Sequence, residues 1–92
     1  MPRFIIEREI RNLGKRSEHE LRAAAKNTCN VIQQLGPKIQ WVESFVTADK
    51  MYCVYLAADE TVVREHAQRG GFPANKISAV QAVIGPVTAE GS

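Results

Sequence analysis

Apolar and polar positions along the chain follow two different periods. Partial alternation over residues 3–10 predicts a first strand. Over residues 21–35 the apolar side chains recur at helical spacing, which predicts an amphipathic helix. Residues 39–46 and 51–57 are rich in β-branched and aromatic side chains, and the short link between them predicts a hairpin of two strands.

The ends of two helices are marked by capping residues. Ser17 and Glu20 have the spacing of a capping box, and Gly36 before a proline ends the helix that follows. Asp59 is a suitable N-cap for a second helix, which Gly71 ends. The apolar stripe of this second helix consists of Val62, Val63, His66 and Ala67.

A last strand is expected between residues 77 and 84, and residues 89–92 are expected to be a mobile tail. The element order is then β-α-β-β-α-β, the ferredoxin-like split β-α-β pattern. Right-handed crossovers give a four-stranded antiparallel sheet with both helices on one face. The predicted fold class is therefore α+β, in a single domain over residues 1–92.

Both faces of this sheet carry apolar side chains. A two-residue turn at Ala48 and Asp49 fixes a register for the central hairpin. The side facing the helices then holds Val42, Val46, Met51, Cys53 and Tyr55. The opposite side holds Trp41, Phe45, Tyr52, Val54 and Leu56. An apolar patch of this size indicates an interface, so we expect two sheets to pack face to face in a dimeric α/β barrel. A longer turn would mix the faces but leave both apolar.

Composition and charge limit the kinds of partner and the location that we expect for the chain. The 92 residues carry a net charge of +2, and no basic run indicates nucleic acid. No apolar stretch approaches the ~20 residues that a spanning helix needs, which argues against a membrane protein. Charge follows soon after the N-terminal apolar residues, unlike in a signal peptide, so we expect a cytoplasmic protein.

Three side chains could carry chemistry on the helix-facing side of the sheet. His66 follows Val62 by one turn and should face the sheet near Cys53 and Tyr55. Imidazole and thiolate suit a borderline metal, and a histidine can transfer protons near neutral pH. The alternative is that His66 and Cys53 only pack in the core, with the imidazole bonded to a backbone carbonyl or a tyrosine.

A carboxylate interrupts the apolar set on the opposite face. Glu43 lies between Trp41 and Phe45, where a charge must be paired, solvated or bound to something. It could be a metal ligand or general base inside the barrel, or form a salt bridge at the barrel rim.

The chain resembles a family of small bacterial proteins, mostly of unknown function, over nearly its whole length. The resemblance rests on IQWVESFVT at residues 39–47, DKMYCVY at 49–55, REHA at 64–67 and GFPA at 71–74. The family is similar to ferredoxin-like dimeric α/β barrels and includes an actinobacterial nickel-binding protein. The resemblance therefore implies this fold and a possible nickel cofactor. The matching positions that could bind a metal are Glu43, Cys53, Tyr55 and His66.

The leading hypothesis is a homodimeric binding protein with a pocket between sheet and helices. A divalent transition metal such as nickel would be bound by His66 and Cys53, with Tyr55 beside them and Glu43 as a separate carboxylate. One alternative is a small-molecule enzyme of the oxygenase or isomerase kind, in which His66 is the acid/base. Another is a protein-interaction module that uses the aromatic sheet face.

Overall fold

The computed structural model describes residues 1–91 and has the predicted order of elements. The strands are Arg3–Glu9 (β1), Ile39–Val46 (β2), Lys50–Ala57 (β3) and Lys76–Ala79 (β4), and the helices are Glu18–Leu35 (α1) and Glu60–Gly70 (α2). The sheet has the order β2-β3-β1-β4, and each neighbouring pair is antiparallel. The α+β, ferredoxin-like fold is thus confirmed, whereas the dimeric barrel remains a prediction.

Both helices begin and end at the predicted residues. The Ser17 hydroxyl accepts from the Glu20 backbone N–H at 3.1 Å, and the Glu20 carboxylate accepts from the Ser17 N–H at 3.2 Å. Asp59 accepts from the backbone of the first turn of α2 at 3.0 Å. Gly36 and Gly71 have φ of 72° and 73°, a conformation that side chains with a Cβ disfavour. Local capping therefore fixes where each helix joins the sheet.

The hydrophobic core lies between the helices and one face of the sheet, which we call the inner face. Its buried members are Phe4, Ile6, Ile39, Cys53, Tyr55 and Ala57 from the strands and Val62 and Val63 from α2. The inward stripe of α1 includes the buried Thr28 and Val31, with Ile32 and Leu35 packed against the core. The inner face is therefore covered by both helices, and α2 brings His66 to it as predicted.

A β-bulge in β2 changes the predicted register. Trp41 pairs with Tyr55 and Glu43 pairs with Val54, so Val42 is the extra residue. At a bulge, two residues of one strand oppose a single residue of the neighbouring strand. The residues of β2 that precede the bulge therefore point to the face opposite to the one that strict alternation predicts. Trp41 therefore lies on the inner face, and its predicted place on the opposite face is wrong. Val42, predicted to face the helices, is 44% exposed.

The last strand is shorter than predicted. It spans Lys76–Ala79, and one further backbone bond joins the Val80 N–H to the Arg3 carbonyl at 2.8 Å. A short 3-10 helix spans Pro86–Glu90. The predicted mobile tail includes Ser92, which lies outside the described residues. Over residues 1–91, neither helix combines the length and the apolar character that crossing a membrane requires.

Candidate functional site

A cavity of about 140 Å³ lies between α1 and the inner face. The wall formed by α1 consists of Leu21, Ala24, Ala25 and Thr28, and the small alanines leave the space open. The sheet contributes Trp41, Ser44, Val46, Met51, Cys53 and Tyr55. Arg8 from β1 and Phe72 from the loop after α2 complete the lining. The cavity is thus mainly apolar, with a few polar groups that converge on it.

Arg8 is the unexpected member of this lining. Alternation along β1 places it on the inner face after Phe4 and Ile6, and it is only 2% exposed. Its Nη1 donates to the Pro73 carbonyl at 3.0 Å, and the guanidinium carbon lies 5.6 Å from the centre of the Phe72 ring. This distance permits a cation–π contact. The loop after α2 therefore holds a buried cation in place.

The other two contacts of Arg8 go to the inner face of β3. Nε donates to the Cys53 Sγ at 3.4 Å, and Nη2 donates to the Tyr55 hydroxyl at 3.4 Å. The ion pairs found within residues 1–91 are Glu60–Arg64 and Glu65–Arg69, both on the surface of α2. No carboxylate in the described part of the chain therefore neutralises Arg8.

Tyr55 and His66 form a buried pair behind Arg8. Their hydroxyl and Nε2 atoms are 2.8 Å apart, and their ring centres are 4.7 Å apart. Because a guanidinium can only donate, the Tyr55 oxygen accepts from Arg8, and a second hydrogen bond links the same hydroxyl to the Nε2 atom of His66. The other ring nitrogen of His66, Nδ1, is buried and has no hydrogen-bond partner among residues 1–91.

Burial and the nearby cation both keep His66 neutral. Burial, followed by the positive charge of Arg8, lowers the pKa of His66 from 6.5 to about 4. Burial also raises the pKa of Tyr55 well above its usual value, and Arg8 opposes that rise only in part. At neutral pH the pair is therefore a neutral imidazole and a neutral phenol.

The structure brings together three of the four predicted site residues. Tyr55 contacts both His66 and Arg8, and Arg8 in turn contacts Cys53. Glu43 is exposed on the opposite face of the sheet, on the side of Val54. A single site in one protomer that combines Glu43 with the other three is therefore not formed.

The interior does not fit a nickel ion. No group of three or more histidine, cysteine, aspartate or glutamate side chains in the described chain is arranged to hold a metal. His66 uses Nε2 to bind Tyr55, and the nearby guanidinium of Arg8 would repel a divalent cation. Cys53 and His66 thus lack the further ligands and the negative charge that such a site requires.

Sequence reasoning missed Arg8 and the loop carbonyl that it binds. The signal was present in the alternation of Phe4, Ile6 and Arg8, which share one face if β1 is continuous. Because an arginine near a strand end is usually exposed, the sequence alone predicts that the side chain of Arg8 points to solvent. The Pro73 carbonyl carries no signal in the sequence, because its orientation depends on the loop after Gly71.

Comparisons with known proteins agree with the fold. The crystal structure of SCO4226 from Streptomyces coelicolor A3(2) is similar to this chain, with a TM-score of 0.75 and 14% sequence identity. The match covers 89% of this chain and 99% of that chain. No curated protein sequence matches significantly. The model of the family described as "Nickel responsive protein SCO4226-like" matches residues 4–80. The chain therefore belongs to the SCO4226-like family of nickel responsive proteins.

Proposed function

We propose that the protein is a homodimeric binding protein whose ligand is a small organic molecule held between α1 and the sheet. The cavity of about 140 Å³ carries this proposal, because it joins apolar walls to a few convergent polar groups. This combination is typical of ligand sites in proteins. The cavity lies between the core and the small side chains of α1 and is partly open to solvent.

The size of the cavity limits the ligand. Pockets for drug-sized molecules have volumes of roughly 300–1,000 Å³, whereas an apolar cavity of about 150 Å³ binds benzene. At about 140 Å³, the cavity suits a single ring or a short branched chain. A ligand of this size would contact Ala24 and Ala25 on one side and Met51 on the other.

The description of the family is the sole support for a role of nickel in this proposal. The family's description names a response to nickel, and we propose that this protein also acts in such a response. The positive charge of Arg8 argues that any nickel ion is bound outside the cavity. The sequence-based prediction that His66 and Cys53 bind a metal can be tested by a direct measurement.

A nickel titration of the metal-stripped protein by calorimetry tests the ligand roles, with His66→Ala and Cys53→Ala beside the wild type. We expect both variants to have the affinity of the wild type, because the interior offers too few ligands. Circular dichroism of each variant controls for folding. Loss of stoichiometric nickel binding in a folded variant would instead support an interior metal site that includes the substituted residue.

The homodimer is proposed from the face of the sheet that the helices leave open, which we call the outer face. Phe45 is 54% exposed there, beside the half-buried Ile5, Tyr52, Val54 and Leu56. Charges of both signs lie on the same face, including Arg3, Glu7 and Lys76. A surface that combines an apolar centre with both signs of charge can match a copy of itself around a two-fold axis. A second copy is therefore the proposed occupant.

The C-terminal segment gives further support for a second copy. Val83, Ile84 and Val87 are 70%, 80% and 78% exposed. Three large apolar side chains in one short segment rarely face water in a monomer. Packing of this segment against a second copy would remove them from solvent.

Catalysis has less support than binding. His66, the predicted acid/base, is not among the residues that line the cavity, and Nε2 is occupied by Tyr55. A pKa of about 4 also makes His66 a weak base at neutral pH. A ligand in the cavity would contact Arg8, Cys53 and Tyr55, and the Tyr55 hydroxyl is already bonded to His66 and Arg8.

Filling the cavity tests the proposed function. Ala25→Leu adds volume inside the cavity, whereas Ala23→Leu adds the same atoms on the exposed face of α1. Benzoate, benzamide and benzyl alcohol are titrated into each protein and followed by amide shifts in NMR spectra. We expect at least one compound to bind the wild type and Ala23→Leu, and Ala25→Leu to lose binding. Binding of none of the three to the wild type would contradict the proposal.

A further inference from the structure

We propose that the ligand of the cavity is a monocarboxylate with a small apolar body, and that its carboxylate binds the buried guanidinium of Arg8. This inference rests on the proposed function and adds the charge and class of the ligand. The carboxylate would supply the negative charge that the protein does not itself place near Arg8.

Arg8 has no charged partner in the described chain. The side chain is 2% exposed, and its three hydrogen-bond partners are a thiol, a phenol and a backbone carbonyl. The contact to the Tyr55 hydroxyl is long at 3.4 Å, and the contact to Cys53 is to sulfur, which is a weak acceptor. A buried charge with weak, neutral partners carries a large desolvation cost, which an anion would offset.

The unused donors of Arg8 fit a carboxylate. A guanidinium has five N–H donors, and the contacts to Cys53, Pro73 and Tyr55 use one each on Nε, Nη1 and Nη2. One donor then remains on each terminal nitrogen. Free donors on both terminal nitrogens can bind the two oxygens of a carboxylate in a bidentate pair.

The remaining lining argues for a single negative charge. Arg8 is the only charged residue among those that line the cavity. The Trp41 N–H already donates to the Ser44 hydroxyl at 2.9 Å, and the Tyr55 hydroxyl is already bonded to His66. A second anionic group would therefore be buried without a cation, so dicarboxylates and phosphates suit the site less than a monocarboxylate.

Benzoate and benzamide form a matched pair that separates charge from shape. Both place one planar group on a benzene ring, but only benzoate is an anion at pH 7. We expect the wild type to bind benzoate roughly tenfold or more tightly than benzamide, as expected for a charge-assisted pair. Affinities are measured by NMR titration of amide shifts at pH 7 and low salt.

Substitution of Arg8 tests the anchor directly. In Arg8→Met we expect the preference for benzoate over benzamide to disappear, while the benzamide affinity remains within a few-fold. Arg22→Met, an exposed arginine on α1, is the matched control and should keep the preference. If Arg8→Met does not fold, Arg8→Lys keeps the charge but loses the planar fork, and we expect a benzoate preference of only a few-fold.

The outcomes separate this inference from the proposed function. Equal binding of benzoate and benzamide by the wild type would overturn the carboxylate assignment and leave a cavity for neutral ligands. A benzoate preference that survives in folded Arg8→Met would place the anion elsewhere and also overturn it. If none of the ring compounds binds the wild type, the proposed function fails together with the inference.

Discussion

The inner and outer faces of the sheet have similar apolar side chains but opposite surroundings. On the inner face the helices bury the side chains of the core together with one cation, Arg8, at 2% exposure. On the outer face the apolar side chains are half exposed, and the carboxylate of Glu43 lies in water. A charge on the outer face is therefore stabilised by water. The buried charge of Arg8 on the inner face can be stabilised only by the groups that surround it.

This difference suits each face to a different kind of partner. The outer face has an extended apolar surface and exposed charges of both signs, which suits a protein partner. The inner face has a small, partly open cavity and one fixed charge, which suits a small molecule. Alternation places these two chemistries on neighbouring residues of β1, where Ile5 and Ile6 face opposite ways.

The largest expected effect compares these two neighbours directly. Ile6→Ala should lower the free energy of unfolding by roughly 2–5 kcal/mol, because Ile6 is fully buried. Ile5→Ala should cost roughly 1 kcal/mol or less in dilute protein, since its side chain is only half buried in the protomer. Urea unfolding at low concentration measures both. Equal costs would contradict the assignment of the two faces.

The next effect concerns the pH dependence of the inner face. The pKa of His66 is 6.5 when unfolded and about 4 when folded, so between these values the unfolded chain binds more protons. The contribution of neutral His66 to the free energy of unfolding is therefore fully present above pH 6.5 and is lost as the pH falls towards 4. The pKa difference corresponds to about 3 kcal/mol.

Urea unfolding between pH 7 and 4 measures this loss. Between pH 7 and 4 the free energy of unfolding of the wild type should fall by about 3 kcal/mol more than that of His66→Gln. This difference does not depend on how stable the variant is at pH 7. His19→Gln, at an exposed position, should follow the wild type. A His66→Gln profile parallel to that of the wild type would show that His66 is not buried as a neutral group.

The smallest expected change in folding comes from the outer face. Phe45→Glu should change the stability of the protomer by about 0.5 kcal/mol or less, since Phe45 is 54% exposed. It should raise the dimer dissociation constant by roughly tenfold or more, because a charge would enter an apolar contact. Sedimentation velocity measures the change, with Gln34→Glu at an exposed position of α1 as the control. A wild-type monomer at micromolar concentration would remove the proposed dimer.

The sequence predicts the elements well because their signals are local. Ser17, Asp59 and Gly71 act on the backbone within one turn, so the helix ends follow from the sequence. The burial of His66 follows from the spacing of α2 in the same way. Such features do not depend on how distant strands pair.

The features that the sequence does not predict depend on contacts between distant segments. The bulge at Val42 leaves no mark in the composition of β2, yet it moves Trp41 to the inner face. Arg8 becomes a site residue only because β3 and the loop after α2 surround it, with Pro73 65 positions away in the chain. The cavity itself exists because α1 presents alanines where larger side chains would close it.

A crystal structure of the wild-type protein with benzoate tests the central claim most directly. We predict a benzene ring between α1 and the inner face, close to Ala25, with both carboxylate oxygens within hydrogen-bond distance of the terminal nitrogens of Arg8. A ring bound only at the surface, in crystals with the cavity empty, would contradict the account.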